Sequence, residues 1–315
     1  MGAVLIALAG VVVIAVVYFG IRLEWGPRPV QHEVAPDSDV RFIDANGIKF
    51  GYLENGKGPL VLLFHGYPET ARSWREIQAR LSSEGYHVVV PFLRGYPPTS
   101  SPADGDYRGQ VLGQDILALI DAFKVETAIV VGHDWGASAA YIAATKKPEK
   151  IEKLVTISMP HPRGFEGAAK FFFSAPHFLY YQLPWARRIV WSHDFAHIGR
   201  LYRKCAPNYR PSAEVLEEIK STLKKPGALE GALGYYWSAF KGRQSEVSGG
   251  DSISVPSLVI AGSDDGPIDI AMFAKARPAF TGPYSFVELA TGHFPQLEAP
   301  EEVAGAILSF LKETG

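Results

Sequence analysis

The sequence predicts an α/β fold in which helices flank a mostly parallel central sheet and a helical segment is inserted into the chain. Short, continuously apolar runs such as residues 59–66 alternate with amphipathic stretches, and strands buried on both faces have this pattern. Between about residues 160 and 250 the alternation stops, and aromatic-rich stretches replace it, together with helical periodicity in residues 211–225. An aromatic-rich insertion of this kind is typical of a lid over a binding site.

The composition excludes several other classes of protein. With 47% hydrophobic and 20% charged residues, the chain has enough apolar surface to fold and is not expected to be disordered. Its 31 basic and 33 acidic residues leave no positive excess to neutralise phosphates, so we predict no nucleic-acid partner. The single cysteine, Cys205, forms no internal disulfide and mildly favours a reducing compartment.

The N-terminal segment is apolar from residue 3 to residue 19, and no charged residue precedes Arg22. About 20 apolar residues span a hydrocarbon core of about 30 Å. The positive charges and the small-residue cleavage site of a secretory signal are both missing. We therefore expect a single-pass anchor in the lipid bilayer over residues 1–24. Arg22 and Arg28 follow the span, which favours a cytosolic catalytic domain.

The rest of the chain divides into a short linker and a folded region. Residues 25–39 are polar and broken by prolines, and Asn46-Gly47 predicts a hairpin turn soon after them. Apolar runs predict later strands within residues 59–66, 87–93, 128–132, 151–159, 256–265 and 284–289. Helices are predicted over 73–85, 109–123, from about 136, and over 211–225, 270–280 and 301–313, with 290–300 as a loop. We assign the α/β core to 40–159 and 251–315, and a helical cap to 160–250.

Asp134 occupies the centre of Gly132-His133-Asp134-Trp135-Gly136, between a predicted strand and a helix rich in small residues. A tight strand-to-helix turn needs glycine two positions before and after its central residue, because the backbones approach closely there. An aspartate at this turn is ionised at neutral pH and can attack an electrophilic carbon to form an alkyl ester. The alternative is an ordinary helix N-cap.

Two further segments complete a catalytic set. His65-Gly66-Tyr67-Pro68 follows an early strand, where the N–H of Tyr67, together with that of Trp135, would bind an oxyanion; a plain turn is the alternative. His293 lies in a loop before the last helix and is suited to deprotonating water. Its orienting carboxylate is Asp264 or Asp265.

Five segments, HGYPETARSW, FLRGYPPTS, VGHDWGASAA, AGSDDG and TGHFPQLEAP, resemble the epoxide hydrolases of the α/β-hydrolase fold and their dehalogenase relatives. The resemblance extends from about residue 40 to residue 311. It implies Asp134 as nucleophile, His293 as base, Asp265 rather than Asp264 as its partner, a cis Pro68, and Tyr236 of GYYWSAF as a donor to the epoxide oxygen. It implies no cofactor and no metal.

The first of the two cap tyrosines of that family has no direct counterpart. The family's tyrosine stands five residues before a glutamine, and here Gln182 places His177 in that position. Either His177 is itself the donor, or Tyr180 or Tyr181 replaces it; we select Tyr181 as the catalytic group. The residues predicted to bind substrate are His65, Tyr67, Trp135, His177 and Phe294.

The predicted reaction is hydrolysis of a small lipophilic epoxide by water, giving a vicinal diol through an ester on Asp134. The alternative is a hydrolytic dehalogenase that uses the same nucleophile. Haloalkane dehalogenases usually carry Asn or Gln at the position of Tyr67, which favours the epoxide, whereas His177 is compatible with fluoroacetate-type dehalogenases. A membrane-bound module that binds ligand without catalysis is a third hypothesis, and the complete Asp-Asp-His set argues against it.

Overall fold

The computed structural model describes residues 38–167, 171–241 and 251–313. The predicted anchor over residues 1–24 and all but the end of the linker over 25–39 lie outside these ranges. Within the described ranges, no helix has both the length and the apolar character needed to cross a bilayer.

One sheet organises the described chain, with strand order β1-β2-β4-β3-β5-β6-β7-β8. The pairs β1–β2 and β2–β4 are antiparallel and all the others are parallel, which confirms the mostly parallel sheet. The strands are β1 (Arg41–Ala45), β2 (Ile48–Asn55), β3 (Leu60–Phe64), β4 (His87–Pro91), β5 (Ala128–His133), β6 (Ile151–Ile157), β7 (Ser257–Gly262) and β8 (Tyr284–Leu289).

The central strands are apolar because both faces of the sheet are covered. Every residue of β3, β5 and β7 is buried, as expected for parallel strands between two layers of helices. In these layers α1 (Arg75–Ser83) packs on α11 (Pro300–Lys312), and α2 (Gly109–Ala122) packs on α3 (Trp135–Lys146). The predicted hairpin is confirmed, with Asn46 and Gly47 both at positive φ between β1 and β2.

The described part of the segment between β6 and residue 250 is helical. Its helices are α4 (Phe171–Ser174), α5 (His177–Tyr180), α6 (Ala186–Cys205), α7 (Ala213–Leu223) and α8 (Ala228–Lys241). After β7 follow α9 (Ile270–Ala276) and α10 (Pro295–Glu298). The predicted loop at 290–300 is wrong in one detail, because Pro295 begins the short helix α10, a position for which its fixed φ is suited.

The helix α6 is interrupted near its middle. Ser192 is extended, and His193, Asp194 and Phe195 have φ of 53°, 52° and 58°, a left-handed run that L-residues rarely adopt. Lys220 and Lys224 of α7 contact the Asp194 carboxylate at 3.0 and 2.8 Å. The chain therefore changes direction here while staying attached to the neighbouring helix.

Candidate active site

Asp134 lies at the apex of the turn between β5 and α3. Its φ of 51° and ψ of −114° lie outside the regions that most residues adopt, as at many functional turns. A Cβ on Gly132 would lie 2.4 Å from the carbonyl carbon of Gly136, and one on Gly136 would lie 2.3 Å from the carbonyl oxygen of Phe64. The glycines on either side of Asp134 are therefore required by close backbone contacts, as the sequence predicted.

The loop after β3 holds the Asp134 carboxylate from one side. The Tyr67 N–H donates to Asp134 Oδ1 at 2.9 Å, and the Tyr67-Pro68 peptide is cis, as expected. A Cβ on Gly66 would lie 2.4 Å from the Cβ of Asp134, so the loop approaches the carboxylate as closely as its backbone allows. The predicted oxyanion donor Tyr67 therefore already contacts the carboxyl group on which an oxyanion would form.

His293 lies between two carboxylates. Its Nδ1 is 2.7 Å from Asp265 Oδ2, and its Nε2 is 3.7 Å from Asp134 Oδ2. Asp264 instead accepts a hydrogen bond from Asn208 at 2.8 Å on the exposed surface. Of the two aspartates that the sequence offered, the structure places Asp265 on the histidine, which leaves Nε2 directed towards Asp134.

The charges of these three groups depend on one another. Burial alone lowers the pKa of His293, but Asp265 and Asp134 outweigh it and raise that pKa to about 10. Burial alone raises the pKa of Asp134, but its hydrogen bond and charge interaction with His293 lower it below the ordinary value. For Asp265 the effect of burial dominates, and its pKa is raised. In the resting protein His293 is therefore an imidazolium facing an Asp134 carboxylate.

Backbone contacts fix the two loops that carry His293 and Asp265. Glu298 accepts hydrogen bonds from the N–H groups of Gly292 and Phe294 at 2.8 and 2.9 Å, one on each side of His293. The carbonyl oxygen of Cys205, the last residue of α6, accepts from His293 N–H at 3.0 Å and from Gly266 N–H at 3.1 Å. The helical segment thus contacts both catalytic loops directly. The sequence reasoning did not identify Glu298, although it stands five residues after His293.

A cavity opens onto Asp134 beneath the helical segment. Its polar lining consists mainly of Asp134, His293, Tyr67, His177 and Tyr236. Its free volume is about 20 Å³, which is room for about one water molecule. The apolar wall includes Met159, Phe171, Phe178, Leu201, Ile268 and Phe294, so the predicted substrate-binding residue Phe294 does line it.

Tyr236 and His177 lie on the cavity side of the helical segment. The ring of Tyr236 stands at right angles to that of Trp135 at 5.1 Å, and 5.7 Å from the ring of His177. Burial foremost raises the pKa of Tyr236 well above 10 and lowers that of His177 to about 3. Both groups are therefore uncharged and can donate hydrogen bonds.

Tyr181 lies away from the cavity. Its hydroxyl is 3.0 Å from the hydroxyl of Tyr67 and 2.7 Å from His197 Nε2, and it is fully buried. This geometry favours His177 over the predicted Tyr181, because the phenol is engaged with two other side chains and the imidazole lines the cavity together with Asp134. The rotation of the short helix, which decides whether His177 or Tyr181 faces the cavity, cannot be read from the spacing of residues along the chain.

The remaining predicted site residues are structural neighbours of the cavity. His65 accepts a hydrogen bond from Leu93 N–H at Nε2 and, with its proton then on Nδ1, donates to the carbonyl of Gly66. Both ring nitrogens are thus used in hydrogen bonds to the backbone. His65 therefore has a structural position, and the prediction that it binds substrate is not supported by this geometry. Trp135 packs against Tyr236 and shapes the wall behind it.

Glu69 is a buried carboxylate that the sequence reasoning missed. It accepts hydrogen bonds from Gln296 at 2.7 Å and from the Tyr202 hydroxyl at 3.1 Å, and it lies 3.5 Å from His133 Nδ1. Burial foremost raises its pKa to about 8. A glutamate directly after the Tyr67-Pro68 turn was the available signal, but nothing in the sequence distinguishes it from an exposed loop residue.

Comparisons with known proteins agree with this arrangement. A family model described as alpha/beta hydrolase fold matches residues 59–300. The chain is 32% identical to the AB hydrolase superfamily protein YfhM of Bacillus subtilis (strain 168), across 86% of this chain and 97% of that protein. It is 31% identical to an epoxide hydrolase of Caballeronia sordidicola, across 86% of this chain and 92% of that protein. A crystal structure of an epoxide hydrolase from Vigna radiata has a TM-score of 0.72 at 27% identity and covers 89% of this chain and 100% of its own.

Proposed function

Because the chain belongs to the epoxide hydrolases of the alpha/beta hydrolase family, we propose that it converts a lipophilic epoxide and water to a vicinal diol. The observation that carries this proposal is the position of Tyr236 and His177, two uncharged donors that share one apolar cavity with Asp134 and His293. Donors so placed would stabilise the oxygen released when a carboxylate opens an epoxide ring.

The first step is attack by Asp134 on a ring carbon. The carboxylate is ionised, and the Tyr67 N–H orients it. A new C–O bond forms as the ring C–O bond breaks, giving an alkyl ester and an alkoxide. Tyr236 supplies a proton to the alkoxide, and His177 donates a hydrogen bond to the same oxygen.

Ester formation changes the charge state of His293. Its imidazolium is stabilised by Asp134 and Asp265, and the ester removes the negative charge of Asp134. The pKa of His293 must therefore fall. Tyr236, left as a phenolate by the proton transfer, regains a proton from His293 across the cavity that both line, which leaves a neutral imidazole ready to act as a base.

The second step is hydrolysis of the ester. His293 Nε2 takes a proton from water, and the resulting hydroxide adds to the carbonyl carbon of the ester. The N–H groups of Tyr67 and Trp135 would donate to the oxyanion so formed. The bond between the carbonyl carbon and the alkoxy oxygen breaks, the diol leaves with the carboxyl proton, and Asp134 is again a carboxylate beside an imidazolium.

A single turnover in ¹⁸O-labelled water tests this mechanism with a styrene-oxide-type substrate. We expect the label on the carboxylate of Asp134 and unlabelled diol, because the diol oxygen added in the first turnover comes from the aspartate. Label in the diol instead would show direct attack by water. The matched variant Asp134→Asn should form no diol at first, and immediate diol formation by it would also contradict the ester.

The same preparation separates this function from hydrolytic dehalogenation. Incubation with a chloroalkane and with fluoroacetate, followed by a halide electrode, should show no release above background. Halide release without diol from any epoxide would favour the dehalogenase instead.

We further propose that residues 1–24 anchor the protein in a lipid bilayer, with the catalytic domain in the cytosol. The support is the uncharged N-terminal sequence and the arginines that follow it. Apolar epoxides partition into bilayers, so a tethered enzyme would meet them there.

A further inference from the structure

Three large aromatic side chains are exposed within a short stretch of the helical segment. Phe172, Phe173 and Trp185 are 39%, 77% and 37% exposed, and we call them the aromatic lip. Phe42 and Phe286, the other large apolar side chains exposed among the described residues, belong to strands β1 and β8. The three side chains stand within fourteen residues of one another, and an exposed apolar patch on a folded protein usually marks a contact with a partner or a membrane.

The aromatic lip belongs to the same stretch of chain that lines the catalytic cavity. Phe171, which immediately precedes it, contributes to the cavity wall together with Ala175 and Phe178. The rings of Phe171 and Phe178 lie 5.1 Å apart. Phe171 and Phe178 therefore line the cavity, whereas Phe172 and Phe173 are exposed to solvent. A partner that covers the aromatic lip would therefore lie close to the cavity.

The charges around the aromatic lip suit an anionic surface. Residues 161–167 and 171–190 contain three arginines, at 163, 187 and 188, and one acidic residue, Glu166, although the whole chain has a net charge of −2. Arg187 and Arg188 follow Trp185 after one alanine and are exposed, and Arg187 also contacts the Glu230 carboxylate at 2.9 Å. Phenylalanine, tryptophan and arginine together are the residues that bind the headgroup region of a membrane.

The N-terminal sequence points to the same partner. The uncharged run of residues 3–19 has the composition of a membrane segment. A polar linker of fifteen residues spans at most about 50 Å when extended. With residues 1–24 in a bilayer, as proposed above, the linker would keep the folded domain close enough for its lip to reach the headgroups.

We propose that the aromatic lip docks on the surface of an anionic lipid bilayer, so that the catalytic cavity takes its substrate from the membrane. The proposal concerns the docking face and rests on the proposed function only for the identity of the substrate. A second copy of the chain covering the same residues is the competing occupant, and the test below separates the two.

Site-directed fluorescence on the full chain tests the docking face. Phe173→Cys and Trp185→Cys are labelled with an environment-sensitive dye, and Phe42→Cys and Phe286→Cys serve as matched exposed controls. The native Cys205 is buried, so unsubstituted protein gives the labelling background. Vesicles contain phosphatidylcholine with phosphatidylserine and a lipid-borne quencher.

We expect the dyes at 173 and 185 to shift to the blue and be quenched about fivefold more than those at 42 and 286. Equal quenching at all four positions, or at neither lip position, would overturn the proposal. A blue shift that grows with protein concentration without vesicles would show that another copy covers the lip, and would overturn it too.

A kinetic experiment keeps this result separate from the proposed function. The double variant Phe173→Ser with Trp185→Ser should hydrolyse a bilayer-partitioned epoxide about fivefold more slowly, with turnover of a water-soluble epoxide unchanged. Phe42→Ser with Phe286→Ser should change neither rate. Equal loss of rate on both substrates would contradict docking. If the unsubstituted protein hydrolyses no epoxide, the proposed function is contradicted. The fluorescence experiment alone would then decide whether the aromatic lip docks on the bilayer.

Discussion

His293 connects the two chemical steps through its charge. In the resting protein, two carboxylates hold its pKa at about 10, although burial opposes the charge. A base with that pKa is protonated at neutral pH and cannot deprotonate water. Only the loss of the charge on Asp134 makes it a base, so the order of the steps follows from the electrostatics of one side chain.

His177 is expected to act on ring opening alone. Because its pKa is lowered to about 3 by burial and by nearby positive charge, it donates a hydrogen bond without carrying a charge. His177→Phe removes that donor and should slow ring opening by about 10²-fold, whereas His177→Gln keeps an N–H and should lose much less. Stopped-flow tryptophan fluorescence measures ring opening and ester hydrolysis separately.

The control for His177 is the rate of ester hydrolysis, which should be the same in all three proteins. Ring opening at the unsubstituted rate in His177→Phe would mean that the histidine contributes no donor. Equal loss in both steps would point to a packing defect instead.

The sequence predicted those catalytic residues whose position depends on local spacing along the chain. The glycines around Asp134 and the loop position of His293 follow from turns that short segments encode. The sequence favoured Tyr181 over His177, whereas the rotation of a short helix, which decides which of them faces the cavity, depends on what packs against it. Glu69 was missed because burial of a single glutamate depends on contacts with Gln296 and Tyr202, which are distant in sequence.

Among the elements, the strands were predicted well and the break in α6 was not. A buried strand requires an apolar run at almost every position, as in β3 and β5, and this pattern is visible in the sequence. The left-handed residues 193–195 include no glycine or proline that would announce a break. Tertiary contacts, including those of Asp194 with two lysines of α7, hold that conformation.

The interruption of α6 makes a prediction about Asp194. Asp194→Gly and Asp194→Ala both lose the contacts to Lys220 and Lys224, so the difference between them isolates the backbone term. Because φ is positive here, the Gly variant should be more stable than the Ala variant by about 1 kcal/mol, the reverse of the order in a regular helix. Urea unfolding of the two proteins measures this, and a more stable Ala variant would mean that α6 is continuous.

Two buried groups make the stability of the whole molecule fall as pH rises above neutrality, where the histidines with lowered pKa values are uncharged in the folded and the unfolded chain alike. The folded pKa of His293, about 10, lies above its unfolded value of 6.5, so its contribution is complete below pH 6.5 and is lost as pH rises to 10. The pKa of Glu69 is raised by burial from 4.5 to about 8. The folded state therefore holds this proton longer than the unfolded chain, and the contribution of Glu69 to stability falls between pH 4.5 and 8. Below pH 6.5 the histidines with lowered pKa values oppose this fall, because the unfolded chain binds protons there that the folded state does not bind.

We therefore expect the urea midpoint to decrease from pH 7 to pH 10. Glu69→Gln, which cannot ionise, should make the decrease between pH 7 and 8 shallower, and the decrease due to His293 should remain up to pH 10. A midpoint that stays constant or rises over this range, or a variant whose profile runs parallel to that of the unsubstituted protein, would contradict this assignment.

The carbonyl of Cys205 has a consequence for engineering. One backbone oxygen at the end of α6 accepts from both catalytic loops, so the helical segment is not an independent cover that can be exchanged at any boundary. A chimera that takes new specificity from a relative by replacing this segment should join the two chains after Ala206. A junction inside the last turn of α6 would displace the general base together with the specificity that was being imported.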